Sequence, residues 1–256
     1  MTRLLADVAV AVRPELLAWA VSSMRVLPVT LLCPVLGGQL VPASVRLAVA
    51  GTLGLALRPL SGGAPEGAFE VLVRCGREAA VGLLVGMGAA LPFDGARMGG
   101  RLIDLVRGTS AEAALPVAGH RESATGDLLY QLLVSLALAG GAFPVLVRAL
   151  ARSHALVPAG SALADAAPLA VARLVCVALA TGLAVAAPVV ALSWATDSAV
   201  GIVLRAAPGL PATELATPVR ILGGGTVLWL TLGLMADRML GWVLSPGDWL
   251  TEVLGP

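Results

Sequence analysis

Apolar residues in this 256-residue chain do not alternate with polar ones; they come in long runs. A helix that crosses a bilayer needs about 20 mostly apolar residues. Three runs free of acids and bases reach that length: Val26–Val45, Leu128–Val147 and Leu174–Thr196. Leu47–Leu57, Ala79–Phe93 and Ile221–Ala236 are shorter and bring the hydrophobic segments to six. The pattern predicts an all-α membrane protein.

Several of these segments carry helix breakers. Val26–Val45 holds Pro28, Pro34, Gly37, Gly38, Gln39 and Pro42; Leu128–Val147 holds Gly140, Gly141 and Pro144; Leu174–Thr196 holds Pro188; Ile221–Ala236 opens on Gly223, Gly224 and Gly225. An interior proline removes a helical hydrogen bond, and in lipid the freed carbonyl needs another partner. The expectation is helices that break or reverse partway; a polytopic protein with ordinary proline kinks is the plainer alternative. Arg25, Arg46 and Arg173 abut or interrupt apolar stretches. They belong at membrane interfaces or opposite acids inside protein. Gly82 and Gly86, and Gly182 with Ala186, have the four-residue spacing of close helix contacts.

The most polar stretch is Asp94–Asp127, with Arg97, Arg101, Arg107 and Arg121 against Asp94, Asp104, Glu112, Glu122 and Asp127. Met98, Leu102, Leu105 and Val106 make its first part helical, and the whole reads as a charged connector. Ser153–Pro168 reads as a loop or short amphipathic turn.

Composition agrees with the pattern. The chain is 58% hydrophobic and 13% charged, with mean hydropathy +0.91, whereas soluble domains carry about 25% charged residues. Lipid or partner subunits must cover what charge does not. The net charge of +1 gives no argument for nucleic acid, and all 17 bases are arginine. Cys33, Cys75 and Cys176 are too scattered for a disulfide framework or a metal site. Asp7, Arg13, Pro14 and Glu15 interrupt Met1–Ala20, so no cleaved signal peptide is expected.

Catalytic chemistry is missing from the sequence. His120 and His154 stand apart, Gly82–Gly88 lies inside an apolar helix, and Gly223–Gly225 lacks the Lys-Ser/Thr of a phosphate loop. Neither a catalytic, a cofactor nor a metal constellation is expected. Asp197, after the longest apolar run, is the one acid placed to bind a proton or ion; a helix-end acid facing an arginine such as Arg205 is the simpler reading. A small secondary transporter built on Asp197 is the rival from another functional class.

Motifs in order along the chain resemble one family. They are Arg25-Val-Leu-Pro, Cys33-Pro-Val-Leu36, Val41-Pro42 with Val45-Arg46, and Arg77-Glu78 followed by glycine-punctuated apolar residues to Gly86. Gly99-Gly-Arg-Leu-Ile-Asp104-Leu-Val-Arg107-Gly108 is similar to an Ile-Asp-x-x-Arg-Gly signature, and Ser123–Gln131 to the opening of the next helix. Leu204-Arg205-Ala-Ala-Pro208 and Thr217-Pro218-Val-Arg220 resemble an Arg-x-x-Pro…Pro-x-Lys/Arg element. The family is the membrane subunit of the type III export gate, FliR in flagella and SctT, SpaR or HrcT in injectisomes, and the resemblance covers residues 16–236. Between Pro208 and Pro218 the family often has Gln-Met-Asn and aromatics, where this chain has Gly209-Leu-Pro-Ala-Thr-Glu214.

The resemblance implies a single export-gate domain over residues 1–256, a multi-pass protein of the bacterial inner membrane. It implies broken helical hairpins stacked with two other small membrane subunits into a cone held partly out of the bilayer plane. Larger export-apparatus proteins would lie nearby, and unfolded secreted polypeptides would pass through. Energy would come from a neighbouring ATPase and the proton-motive force. By the same analogy Pro208, Leu210, Pro211, Ala212, Thr213, Glu214 and Pro218 are pore or gate-loop candidates. Arg25, Arg46, Glu78, Asp104, Arg107, Arg205 and Arg220 are candidates for assembly or polar contacts. An injectisome member is expected, with a flagellar one as the alternative.

Overall fold

A computed structural model describes residues 2–38, 41–58, 67–108, 112–113, 122–161, 167–206 and 212–254. Eight helices appear among them: α1 (Thr2–Leu32), α2 (Ala43–Leu57), α3 (Ala68–Arg107), α4 (Ala124–Ala139), α5 (Ala142–Leu156), α6 (Ala167–Ala206), α7 (Ala212–Leu244) and α8 (Pro246–Leu254). The only strands described, β1 (Glu112–Ala113) and β2 (Glu122–Ser123), form one antiparallel pair with Glu112 opposite Ser123. The all-α expectation holds. Four helical stretches are long and apolar enough to cross a membrane: Arg13–Leu32, Phe69–Arg107, Pro168–Ala206 and Ala216–Leu244. Helices α4 and α5, broken at Gly140–Gly141, are together sufficient for a fifth.

The chain divides into two compact units. The first comprises Met1–Leu91, Gly140–Leu174 and Leu244–Pro256; the second comprises Pro92–Ala139 and Val175–Val243.

In the first unit, Val26–Val45 is a hairpin rather than one span. Helix α1 passes through Pro14 and Pro28 and ends at Leu32. Pro34 and the glycines then turn the chain, and Pro42 precedes α2. Gly38 closes the turn at φ +59°, its N–H donating to the Thr30 carbonyl at 3.1 Å. A Cβ at Gly38 would lie 2.8 Å from Pro34 Cα, so glycine is required on both counts. The two arms pack tightly: a Cβ on Gly54 would stand 2.8 Å from Ser23 Cα, and the Trp19 indole N–H donates to the Gly51 carbonyl at 2.8 Å. Helix α3 meets α1 through the Gly82/Gly86 pair. A Cβ on Gly82 would lie 2.1 Å from the Arg25 carbonyl oxygen, and one on Gly86 3.1 Å from Val29 Cα. Before α5 the chain turns at Gly141, with φ +79°. Ser153–Leu156 continues α5 and is not loop, which corrects the start of the expected Ser153–Pro168 turn.

In the second unit two expected breaks do not occur. Helix α6 runs unbroken through Pro188, and α7 runs unbroken through Gly223–Gly225. One proline removes a single hydrogen bond, and 40 residues of otherwise apolar helix absorb it. Helix α6 packs against α3 on glycine: Cβ atoms on Gly99 and Gly182 would meet the Gly182 and Gly95 carbonyls at 2.7 and 2.8 Å. The first part of the charged connector is helix, since α3 does not end until Arg107.

Candidate functional site

Arg25 is the largest fully buried side chain described, with 0% of its surface exposed. A guanidinium removed from water costs several kcal/mol unless its donors are met. Here Nε donates to Glu78 Oε2 at 2.6 Å and Nη2 to Glu78 Oε1 at 3.0 Å, a bidentate pair. Nη2 also donates to the Val157 carbonyl at 2.9 Å, and Nη1 to Ser153 Oγ at 3.3 Å. Glu78, 1% exposed, additionally accepts from the Gly160 N–H at 3.1 Å. One ionic centre therefore joins α1, α3, the end of α5 and the turn that follows it. Gly82, one turn beyond Glu78 on α3, lets the α1 backbone come close enough for the pair to form. His154 is buried beside this centre, its Nδ1 at 3.0 Å from the Leu150 carbonyl.

A second centre lies in the other unit. Asp104, near the C-terminal end of α3, sits on the N-terminus of α4. Its carboxylate accepts from Ser123 Oγ at 2.5 Å, from the Thr125 N–H at 2.9 Å and from Thr125 Oγ1 at 2.5 Å. Ser123 Oγ in turn accepts from the Gly126 N–H at 3.0 Å. Ser123 is thus the N-cap, and Asp104 satisfies a further first-turn N–H from another helix. A negative charge there also favours the helix dipole. Asp104 is therefore not the solvated helix-face partner of Arg107 that spacing allows. Two turns earlier on α3, Arg97 stacks 4.0 Å from the centre of the Tyr130 ring and pairs with Asp127 at 3.4 Å.

Arg107 reaches α7. Its Nη2 donates to the Ile221 carbonyl at 2.8 Å. A Cβ at Gly224 would come within 3.1 Å of Arg107 Cγ and Cδ, so the glycine run forms the slot in which the arginine lies. Arg220 pairs with Asp197 of α6. Asp197 thus faces Arg220 and not Arg205, which is exposed at the end of α6 without an ion pair among the described residues. Arg46 packs its stem against Gly37, and its Nε finds no partner among the described residues.

Of the pore candidates, Pro208, Leu210 and Pro211 lie outside the described residues. Ala212, Thr213, Glu214 and Pro218 belong to the first two turns of α7, so this part is helix and not loop. Pro218, in the second turn, removes the hydrogen bond its position would donate to the Glu214 carbonyl, and α7 continues past it. The side chains of Ala212, Thr213 and Glu214 are not among those described.

Sequence reasoning singled out Arg25, Glu78, Asp104 and Arg107 for polar contacts but not their partners Ser153, Val157, Gly160, Ser123, Thr125 and Ile221. Several of these act through backbone groups, which leave no mark in a sequence. Ser123 did leave one: a serine just before an apolar run is an N-cap signal. Across both centres the polar groups bind helices to one another, and among the described residues no group of three or more His, Cys, Asp or Glu could hold a metal.

Comparison with known proteins matches residues 16–244 to the family described as bacterial export proteins, family 1. The chain is 30% identical over 155 residues to Yop proteins translocation protein T of Yersinia pestis, and equally to that of Yersinia pseudotuberculosis. That alignment covers 59% of this chain and 59% of the relative's length. It is 27% identical over 215 residues to the flagellar biosynthetic protein FliR of Caulobacter vibrioides, covering 81% of this chain and 85% of that protein.

Proposed function

From its membership of the bacterial export proteins, family 1, to which this chain belongs as FliR and SctT do, we propose that it is a non-enzymatic structural subunit of a type III protein export gate. It forms part of the conduit for unfolded polypeptides across the bacterial inner membrane, together with two other small membrane subunits and beside larger export-apparatus proteins. It acts as one gate domain over its whole length and needs no cofactor.

The observation that carries the reading is how little the chain covers its own helices. In Phe69–Arg107 61% of the most apolar window is buried within the chain, but only 33% in Pro168–Ala206 and 11% in Ala216–Leu244. Trp194, Ile202, Leu222, Trp229 and Leu230 are each more than two-thirds exposed. Neighbouring subunits and lipid cover these faces. Pro208, Leu210, Pro211, Ala212, Thr213, Glu214 and Pro218 line the pore or its gate. Arg25, Glu78, Asp104, Arg107 and Arg220 serve it from inside the chain by holding helices in register, which leaves Arg46 and Arg205 for contacts with other subunits.

We place the chain with injectisomes, on Arg107-Gly108 and Arg25-Val-Leu-Pro and on the identity to Yop proteins translocation protein T. A flagellar gate subunit is the alternative, favoured by the longer match to FliR. The transporter reading loses its main support, because Asp197 is half-exposed and paired with Arg220. The test is affinity purification of the tagged chain in mild detergent, with and without co-expressed candidate partners. A discrete hetero-complex that forms only with partners is expected. A monomer or homodimer that ignores them overturns the proposal.

A further inference from the structure

A groove of about 280 Å³ runs between α6 and α7, wholly within the second unit. Val185 of α6 and Met235 and Met239 of α7 form its buried floor. Ala184 and Leu234 stand exposed on its rim, and Arg238 and Trp242 line the end towards the C-terminus of α7. Thr181 and Thr231 also line it, but their hydroxyls donate to their own helices, to the Ala178 and Val227 carbonyls, each at 2.8 Å. Among the described residues the lining is therefore apolar except for one guanidinium.

The size of the groove selects what can lie in it. An apolar cavity of about 150 Å³ already takes up benzene, so this one has room for a longer hydrocarbon. A helix 10–12 Å across fills about 500 Å³ with each turn, so a helix of another subunit does not enter it. The acyl chain of a lipid does.

The place of the groove along α7 selects the rest of the ligand. The span Ala216–Leu244 has 29 residues and measures about 43 Å, against a hydrocarbon core of about 30 Å. With its middle residue, Leu230, at the bilayer centre, Arg238 lies about 12 Å out and Trp242 about 18 Å out. The edge of the core, at about 15 Å, falls between them. Tryptophan is enriched at that edge, and the stem of an arginine lets its guanidinium reach outward to it. Arg238 has no hydrogen bond or ion pair among the described residues, and the neighbouring Asp237 projects about 100° around the helix from it. The phosphate that heads an acyl chain gives this guanidinium a charge-assisted partner.

We infer that the groove binds one phospholipid, with an acyl chain along Val185, Met235 and Met239 and the phosphate on Arg238. The inference rests on α7 crossing the bilayer and not on the export reading.

The test uses the full chain, purified in mild detergent and stripped of lipid. Binding of the first molecule of phosphatidylglycerol is measured by native mass spectrometry, beside diacylglycerol with the same acyl chains and with inorganic phosphate as competitor. Phosphatidylglycerol binds about five-fold tighter than diacylglycerol at low salt, the share of one basic residue near the surface, and millimolar phosphate does not displace it. Arg238→Gln removes that preference and Arg238→Lys keeps most of it. Ala184→Phe fills the groove from its exposed rim and abolishes tight binding of the first lipid while melting is unchanged; Ala184→Val, which weakens it, serves if the larger side chain disturbs the fold. A folded Ala184→Phe chain that still binds the first lipid tightly, equal affinity for diacylglycerol, or displacement by phosphate alone each overturns the site.

Discussion

Removing Glu78 is the sharpest perturbation of the buried ionic centre. Replacement by leucine deletes three accepted hydrogen bonds, two from Arg25 and one from the Gly160 N–H. It leaves a guanidinium that is 0% exposed facing only Ser153 Oγ and the Val157 carbonyl. An uncompensated buried charge of this kind costs about 3–5 kcal/mol. For a chain of this size that corresponds to a fall of about 6–20 °C in melting temperature. Arg25→Met alone strands the carboxylate and costs a similar amount. The double variant, Arg25→Met with Glu78→Leu, removes both charges and fills the space with carbon, so it loses far less than the sum of the single losses. The melting of all four proteins in one detergent closes a double-mutant cycle with a coupling of about 3 kcal/mol or more. Single variants within about 1 kcal/mol of the parent, or a double loss equal to the sum of the two, would refute the reasoning.

Gly82→Ala places a Cβ 2.1 Å from the Arg25 carbonyl oxygen; α1 and α3 must part, and melting should show a loss of about 1–3 kcal/mol. Gly76→Ala on the same helix meets nothing within 4 Å and should leave stability unchanged or raise it by up to about 1 kcal/mol. Asp104→Ala removes the carboxylate from the start of α4 and should cost about 0.5–2 kcal/mol, with faster hydrogen exchange at the Thr125 amide; unaltered exchange there would exclude the capping role. Arg107→Ala should raise hydrogen exchange across Ala212–Gly225 while α1 and α2 keep their protection, with Arg107→Lys restoring part of it. Unchanged exchange combined with weaker partner binding would mean that Arg107 serves another subunit rather than α7.

The apolar runs made the helices legible, because membrane-length segments depend on composition more than on detail. Glycine spacing made the contacts legible: Gly82 with Gly86, and Gly182, mark places where helix backbones meet. Breaks were harder to read. Pro34, Gly37 and Gly38 do end a helix, because a proline and two glycines, one of them left-handed, act together there. Pro188 and Gly223–Gly225 do not, because each acts alone within a long apolar helix. The glycine run has a different use, giving room to Arg107. Arginines intruding into apolar stretches allowed either an interface or pairing inside protein, and the spacing of Arg25 and Glu78, 53 residues apart, carries no hint that these two meet.

An ion pair buried so completely needs a reason other than stability, since well-packed apolar residues often serve as well or better. The surroundings supply one. Helices rich in Ala, Val, Leu and Gly present nearly uniform ridges, and in lipid no hydrophobic force selects one register over another. A shift of α1 against α3 by one turn would move Gly82 from its place against the Arg25 backbone and would leave Arg25 and Glu78 apart and uncompensated. The Asp104 centre does the same for α3 and α4, and Arg107 with Ile221 for α3 and α7. Each centre spends a few polar groups to make every alternative register expensive. A chain that leaves most of α7 uncovered has particular need of this, because its helices must hold their register before any partner arrives to cover them.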